Sequence, residues 1–281
     1  MDMTHALLHE FHKIGTLPQN IIHLSQLINN ENTTLEEIED IIRIDPVLTA
    51  KVLTLVNSAY FGLNRRVDSI SRAVAFLGLK KLHTIAITDA MSNIYRSPVL
   101  NRSLNPELLW IHSAASAICC KLISERIFAR NGDEVYLLGI LHDIGLIVES
   151  QTCPQDFLQV YEQWNPINEP SLPSLESQIL QTDHCVLGFH LVQAWNLSEA
   201  IAHGIRNHHT VDENIAPHSH TGILQISNYL INNLGYSIKP GASKLLSKSI
   251  SHHLHEYIDE YKTLADDLPE EIDSIRQLYT Q

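Results

Sequence analysis

Residues Leu137 to Ser150 read LLGILHDIGLIVES, and they set an ionisable pair, His142 and Asp143, in a run rich in leucine, isoleucine, valine and glycine. Burying such a pair without partners is costly, so a metal ion or neighbouring protein groups must satisfy it. Within a helix the two residues would lie about 100° apart, so an ion between their directions could take one atom from each. The chain holds 17 histidines, and several stand where they could join the pair. His112 lies in NPELLWIHSAASAICC, His184 precedes CVLGFHLVQAW, His208 and His209 close SEAIAHGIRNHH, and Asn228 follows on the next helical stretch. Imidazole and carboxylate donors sent from several helices toward one point are how helical proteins build metal sites. Spacing leaves other readings open. A core histidine often just bonds a carbonyl, a histidine pair at a helix C-terminus is favoured by the dipole alone, and His142 with Asp143 could be a self-satisfying ion pair.

Helices must carry these residues, because apolar positions recur with a period near 3.6 and no series of alternating strands with hairpin turns is visible. The expected fold class is all-α. Thr34 and Glu37 form a capping-box pattern ahead of a stripe of Leu35, Ile38, Ile41 and Ile42. Asp45 as N-cap and Pro46 at the first helical position open a helix whose Val47, Leu48, Val52, Leu55 and Val56 face inward and which Gly62 ends. Ser69 caps one helix through SISRAVAFLGLKKLHTIAI, and Asn105 with Pro106 starts the helix of His112. Gly188, one turn after His184, would let another helix approach closely. The segment around Pro98 and Pro106 is the best boundary, so a division into 1–100 and 101–281 is expected. NPINEPSLPS, with prolines at 166, 170 and 173, reads as a surface loop, and HTVDENIAPHSHTG as a second one. ILQISNYLINNLG is an amphipathic helix stopped by Gly235, and the acidic end from Glu256 reads as a solvated helix with a frayed tail. Asn57, Ser58 and Tyr60 suggest a local helix-ending turn rather than a contact site, and Lys80 and Lys81 solvated helix ends.

Nineteen basic against thirty-two acidic residues give a formal charge of −13, which disfavours nucleic acid or an anionic membrane as main partner. Cys119, Cys120, Cys153 and Cys185 include no C-x-x-C pair, so neither a disulfide framework nor a zinc ribbon is suggested. No signal peptide or apolar run of spanning length is visible, and the expected location is the cytoplasm.

The stretch LLGILHDIGLIV resembles the His-Asp signature of the HD superfamily of metal-dependent phosphohydrolases. LPQNIIHLSQLI, IDPVLTAKVLTLVNSAYFG and DSISRAVAFLGLKKL resemble the HDOD family, the HD-related output domain of bacterial signalling proteins, over about residues 17 to 233. That resemblance implies an N-terminal helical subdomain packed on an HD-like helical bundle. Matched to HD hydrolases of the HD-GYP type, it implies His112, His142, Asp143, His184, His208 and His209 as metal ligands. Asn228 stands at the place of a final aspartate, and Leu108 at that of a glutamate. Fewer carboxylates favour a single divalent transition ion (iron, manganese, zinc or nickel) over a cluster. Leu146 replaces a lysine of that type, and TVDENIAP carries no Gly-Tyr-Pro loop, so transition-state charge would fall mainly to the metal, with His203, Arg206 and Lys121 as optional help.

Two functions follow from the resemblance. The first is a signalling or regulatory protein with a partly retained pocket, taking its input from a signalling protein or a nucleotide-type small molecule, since no receiver, kinase, cyclase or DNA-binding segment is seen. The second is a metal-dependent phosphohydrolase of phosphodiesterase type. A peptide-binding cleft between the halves is a third. Homo-oligomerisation is left open.

Overall fold

Helix starts fall where side chains can cap them. Thr34 Oγ1 accepts from Glu37 N at 3.3 Å while the Glu37 carboxylate accepts from Thr34 N at 2.8 Å, the capping box the sequence predicts. Asp45 Oδ1 accepts from Leu48 N at 3.0 Å, and Ser69 and Asn105 cap in the same manner. In the computed structural model the described residues are 2–14, 17–30, 32–57, 67–95, 105–241 and 246–280. Gly62, Ser58, Tyr60, Pro98 and the side chains of Val47 and Leu55 lie outside them.

The chain runs α1 (Met3–Ile14), α2 (Gln19–Ile28), α3 (Leu35–Ile44), α4 (Pro46–Val56), α5 (Ile70–Leu77), α6 (Leu79–Tyr95) and α7 (Pro106–Leu122). A π-helical turn, Ile123–Ile127, prolongs α7. There follow α8 (Asp133–Leu141), α9 (Ile144–Thr152), α10 (Pro154–Gln163), α11 (Leu172–Leu180), α12 (His184–Ala194), α13 (Glu199–Asn207), α14 (His220–Asn233), α15 (Lys248–Glu256) and α16 (Ile258–Thr280). The fold is all-helical, with no strand among the described residues. No helix among them is long and apolar enough to cross a membrane.

One apolar core runs from Leu7 and Phe11 of α1 to Ile272 of α16. At its centre α7 is buried on nearly every side, and its small residues Ser113, Ala114, Ala115, Ser116 and Ala117 let α8, α14 and α16 lie close. Helix α6 packs against α8 and so ties the N-terminal helices to the bundle. Helix α1 packs on α9 and α12, where the Thr4 and Thr182 hydroxyls meet at 2.9 Å in the interior.

Several expectations need correcting. The single helix after Ser69 is two, because Gly78 at φ +78° takes a left-handed conformation that closes α5 before α6 begins. Leu35 shares the face of Ile38, Ile41 and Ile42 but stands in the first turn and remains 46% exposed. Pro173 lies not in the loop but in the first turn of α11, where its missing N–H costs no bond. Helix α16 is more than a solvated tail: Tyr261, Leu264, Leu268 and Ile272 form a buried stripe, and the helix packs on α7. Asn57 does bond local backbone, joining Leu53 O and both backbone groups of Val67 at 2.6–2.7 Å.

Candidate metal centre

His142 and Asp143 do not lie within a helix as the sequence suggests; the chain breaks there, between α8 and α9. His142 closes α8 in helical conformation, while Asp143 at φ −101°, ψ 14° precedes α9. Asp143 makes no side-chain cap, so its carboxylate is left for the interior. The break replaces the 100° fan of an unbroken helix by a corner from which both side chains reach one point. His142 Nε2 lies 3.2 Å from Asp143 Oδ2 and 3.2 Å from Nε2 of His112 on α7.

The remaining histidines close on the other carboxylate oxygen. Asp143 Oδ1 is 3.5 Å from His208 Nε2 and 3.8 Å from His184 Nε2. His184 opens α12 behind the Asp183 N-cap, and His208 closes α13. His184 Nε2 stands 3.4 Å from His208 Nε2 and 2.9 Å from His209 Nε2. Gly145 makes this convergence possible: a Cβ there would sit 2.1 Å from the His184 carbonyl oxygen, so α9 touches the backbone of α12 only because that position is glycine. The close approach expected at Gly188 is also present, with Ile205 of α13 at 2.8 Å from a built Cβ.

Six of the seven sequence candidates are thus brought together. Asn228 is one step removed: its amide oxygen accepts from the Ser116 hydroxyl at 3.1 Å, one turn beyond His112. Leu108 is 45% exposed and Leu146 is buried, so neither offers polar help. His203 points to solvent beside Glu199, and Arg206 is half-exposed near Asp183.

Whether these residues suit a metal is answered by their other nitrogens. Nδ1–H of His112 donates to Tyr236 O at 2.8 Å, that of His142 to Gly139 O at 2.8 Å, and that of His208 to Ile205 O at 2.7 Å. Nδ1–H of His184 donates to Glu176 Oε2 at 2.6 Å. A carbonyl or carboxylate oxygen only accepts, so each ring carries its proton on Nδ1 and turns an Nε2 lone pair inward. Four lone pairs and a carboxylate facing one another in the interior repel, and a cation among them turns repulsion into ligation. The donor set fits a divalent transition ion bound through Nε2 and carboxylate oxygen.

The field agrees. Burial alone would raise the Asp143 carboxyl, but the surrounding imidazoles, His142 first and then His208 and His112, hold it well below the usual carboxylate range. Burial pushes His208 down to about 3 although Asp143 lies beside it, with His142 and His184 adding to the fall, so the ring is neutral and able to ligate. Burial would also lower His184, yet Cys185 and Glu176 outweigh it and hold the ring well above the ordinary imidazole value. A positive charge is favoured at this spot, which a proton or a metal can supply.

Sequence reasoning missed Glu176, Glu149 and Cys185. Glu176 is fully buried and accepts from both the ring and the backbone N–H of His184. Glu149 is fully buried beside it; burial and then the Glu176 charge push its carboxyl well above the usual range. Its only sequence signal is a third ionisable group in the same apolar run as His142 and Asp143. Glu176 carried none, because its link to His184 spans a turn between helices.

Residues 14–211 match the HDOD domain, and the chain belongs to the HDOD family. An uncharacterized protein of Treponema pallidum (strain Nichols) is 28% identical over 203 residues, 70% of this chain and 38% of that protein, so the chain spans well under half of its relative's length. Among solved structures, an HDOD domain protein with unknown function from Geobacter sulfurreducens is 27% identical, with TM-score 0.61 over 94% of this chain and 97% of that one. A putative phosphohydrolase from Shewanella amazonensis SB2B shares 22% identity, with TM-score 0.67 over 98% and 95%. A putative signal transduction protein from Marinobacter aquaeolei VT8 shares 20%, with TM-score 0.71 over 95% of this chain and 60% of that one. The last two likenesses are of fold.

Proposed function

We propose that this chain is a signalling or regulatory protein of the bacterial HDOD type, whose His/Asp centre holds one divalent transition ion as a structural or sensing element. The observation that carries this reading is the burial of the centre: His112, His142, Asp143, His184 and His208 are each at most 3% exposed. A phosphoester must reach the ion and needs cationic help for its developing charge. Here Leu146, one turn after Asp143, is apolar and buried, while His203 is exposed and Arg206 half-exposed near Asp183. The helical surfaces then transmit a state to a signalling protein, or respond to a nucleotide-type small molecule. The fold likeness to the Marinobacter signal transduction protein is in keeping with this. Four free cysteines suit the cytoplasm.

A phosphohydrolase is the second reading, favoured by the near-complete donor set and by His209, which is only half-buried and marks one edge of the centre. In that case the metal would supply an activated water. The Shewanella neighbour's description points the same way. Purified protein loaded with Fe²⁺, Mn²⁺, Zn²⁺ or Ni²⁺ and assayed on cyclic dinucleotides, nucleotides and generic phosphoesters separates the two. The regulatory reading expects retained metal, a raised melting temperature and no turnover. Robust turnover that disappears in His142→Ala would overturn it, and a melting temperature indifferent to every metal would remove the metal centre altogether.

A further inference from the structure

Cys185 follows His184 at the start of α12 and is 2% exposed. Its Sγ lies 3.5 Å from His184 Nε2 and 3.8 Å from His208 Nδ1. His184, Cys185, His208 and His209 each offer a donor atom, and the four atoms lie within 4.8 Å of one another. His112, His142 and Asp143 form a separate group at the other end of the centre. We propose that Cys185 is itself a metal ligand, so that the ion sits at the His184–His208–His209 end in a sulfur-containing donor set. This rests on the metal-binding reading above and adds to it where the ion lies and what kind of ion it is.

Distances at this end fit such an ion. For a tetrahedral ion with metal–nitrogen bonds of about 2.05 Å and a metal–sulfur bond of about 2.3 Å, two nitrogens lie about 3.4 Å apart and nitrogen and sulfur about 3.6 Å apart. His184 Nε2 to His208 Nε2 is 3.4 Å, and Cys185 Sγ to His184 Nε2 is 3.5 Å. His209 needs to open from its 2.9 Å contact by only about half an ångström to meet the same geometry. That residue is also the half-buried one. Nδ1–H of His184 and His208 is already committed to Glu176 and Ile205, so both rings present Nε2 without rearrangement.

Sulfur also sets the metal. A thiolate adds a formal negative charge beside that of Asp143, and it prefers zinc, iron(II) or cobalt(II) to manganese or magnesium. A thiol ligates as the thiolate, so the incoming ion displaces its proton: the S–H bond breaks, the S–metal bond forms with the sulfur electron pair, and the thiol proton passes to solvent. No oxidant or reductant is needed.

Cobalt(II) tests this without any activity assay. Metal-free full-length protein titrated with Co²⁺ is expected to show visible ligand-field bands together with an intense near-ultraviolet thiolate-to-cobalt charge-transfer band. Cys185→Ser should lose the charge-transfer band and keep visible bands, with Cys119, Cys120 and Cys153 left in place as internal controls. Visible bands without charge transfer in the wild-type protein overturn sulfur ligation and leave the metal centre standing. No bands and no cobalt retained after desalting overturn the metal reading itself. Should Cys185→Ser fail to fold, X-ray absorption at the cobalt edge of the wild-type protein decides: a sulfur scatterer at about 2.3 Å supports the ligand, and nitrogen and oxygen alone reject it.

Discussion

Glu176 is the residue on which the orientation of His184 depends. It accepts from the His184 ring at 2.6 Å and from its backbone N–H at 3.1 Å, and through the first bond it holds the proton on Nδ1. Partners of this kind, removed from metal-bound histidines, typically weaken metal affinity by about 10–100-fold. Glu176→Ala is expected to lose affinity in that range, read by competition with a coloured chelator, and Glu176→Gln less, since its amide oxygen still accepts. Equal affinity in all three proteins would mean that His184 is oriented by something else. Glu149 lies buried beside Glu176, and burial and then the Glu176 charge push its carboxyl up, in the direction of the neutral acid.

At the scale of elements, the centre depends on how closely helices approach. Gly145→Ala would place a methyl group 2.1 Å from the His184 carbonyl oxygen, and backbone rather than a flexible side chain must move. Overpacking of this sort costs about 1–3 kcal/mol or more. The variant should melt below the wild-type protein and lose bound metal on gel filtration; full metal retention would refute the account of α9 against α12. A second contact joins α2 to α6. Ser25 Oγ donates to Ile21 O at 3.0 Å, so it accepts from His83 Nε2–H at 2.7 Å. Burial lowers His83 to about 4 from an ordinary 6.5. The folded value lies below the unfolded one, so between these limits the unfolded chain binds more protons and stability rises with pH. This contribution is fully present above pH 6.5 and is lost as pH falls toward 4. Between pH 7 and pH 5 the wild-type protein is expected to lose about 2 kcal/mol more than His83→Gln in urea melts, at about 1.4 kcal/mol per unit. Parallel losses in the two proteins would contradict it.

Over the whole molecule, the core that holds the centre extends to its last helix. Leu268 is fully buried in the stripe by which α16 covers α7, the helix that carries His112. Leu268→Ala is expected to cost about 2–5 kcal/mol, as other buried leucine truncations do. Chemical denaturation checks this, and a change under about half a kcal/mol, the size usual for a surface substitution, would show the stripe to be surface. Amphipathic spacing at Tyr261, Leu264, Leu268 and Ile272 was present in the sequence, but the surrounding acidic residues masked it.

Helix class, the starts at Thr34, Asp45, Ser69 and Asn105, and the histidines and aspartate that converge are legible in the sequence. Caps and periodicity act within one or two turns, and donor types are written in the residues themselves. The corner at His142 and Asp143, the restart at Gly78, the Glu176–Glu149 pair and the nearness of Cys185 to His208 are not. Each of these arises from groups on different helices meeting in a water-poor interior. There burial reverses ordinary protonation, and a missing Cβ decides whether two backbones can touch; neither acts along the chain.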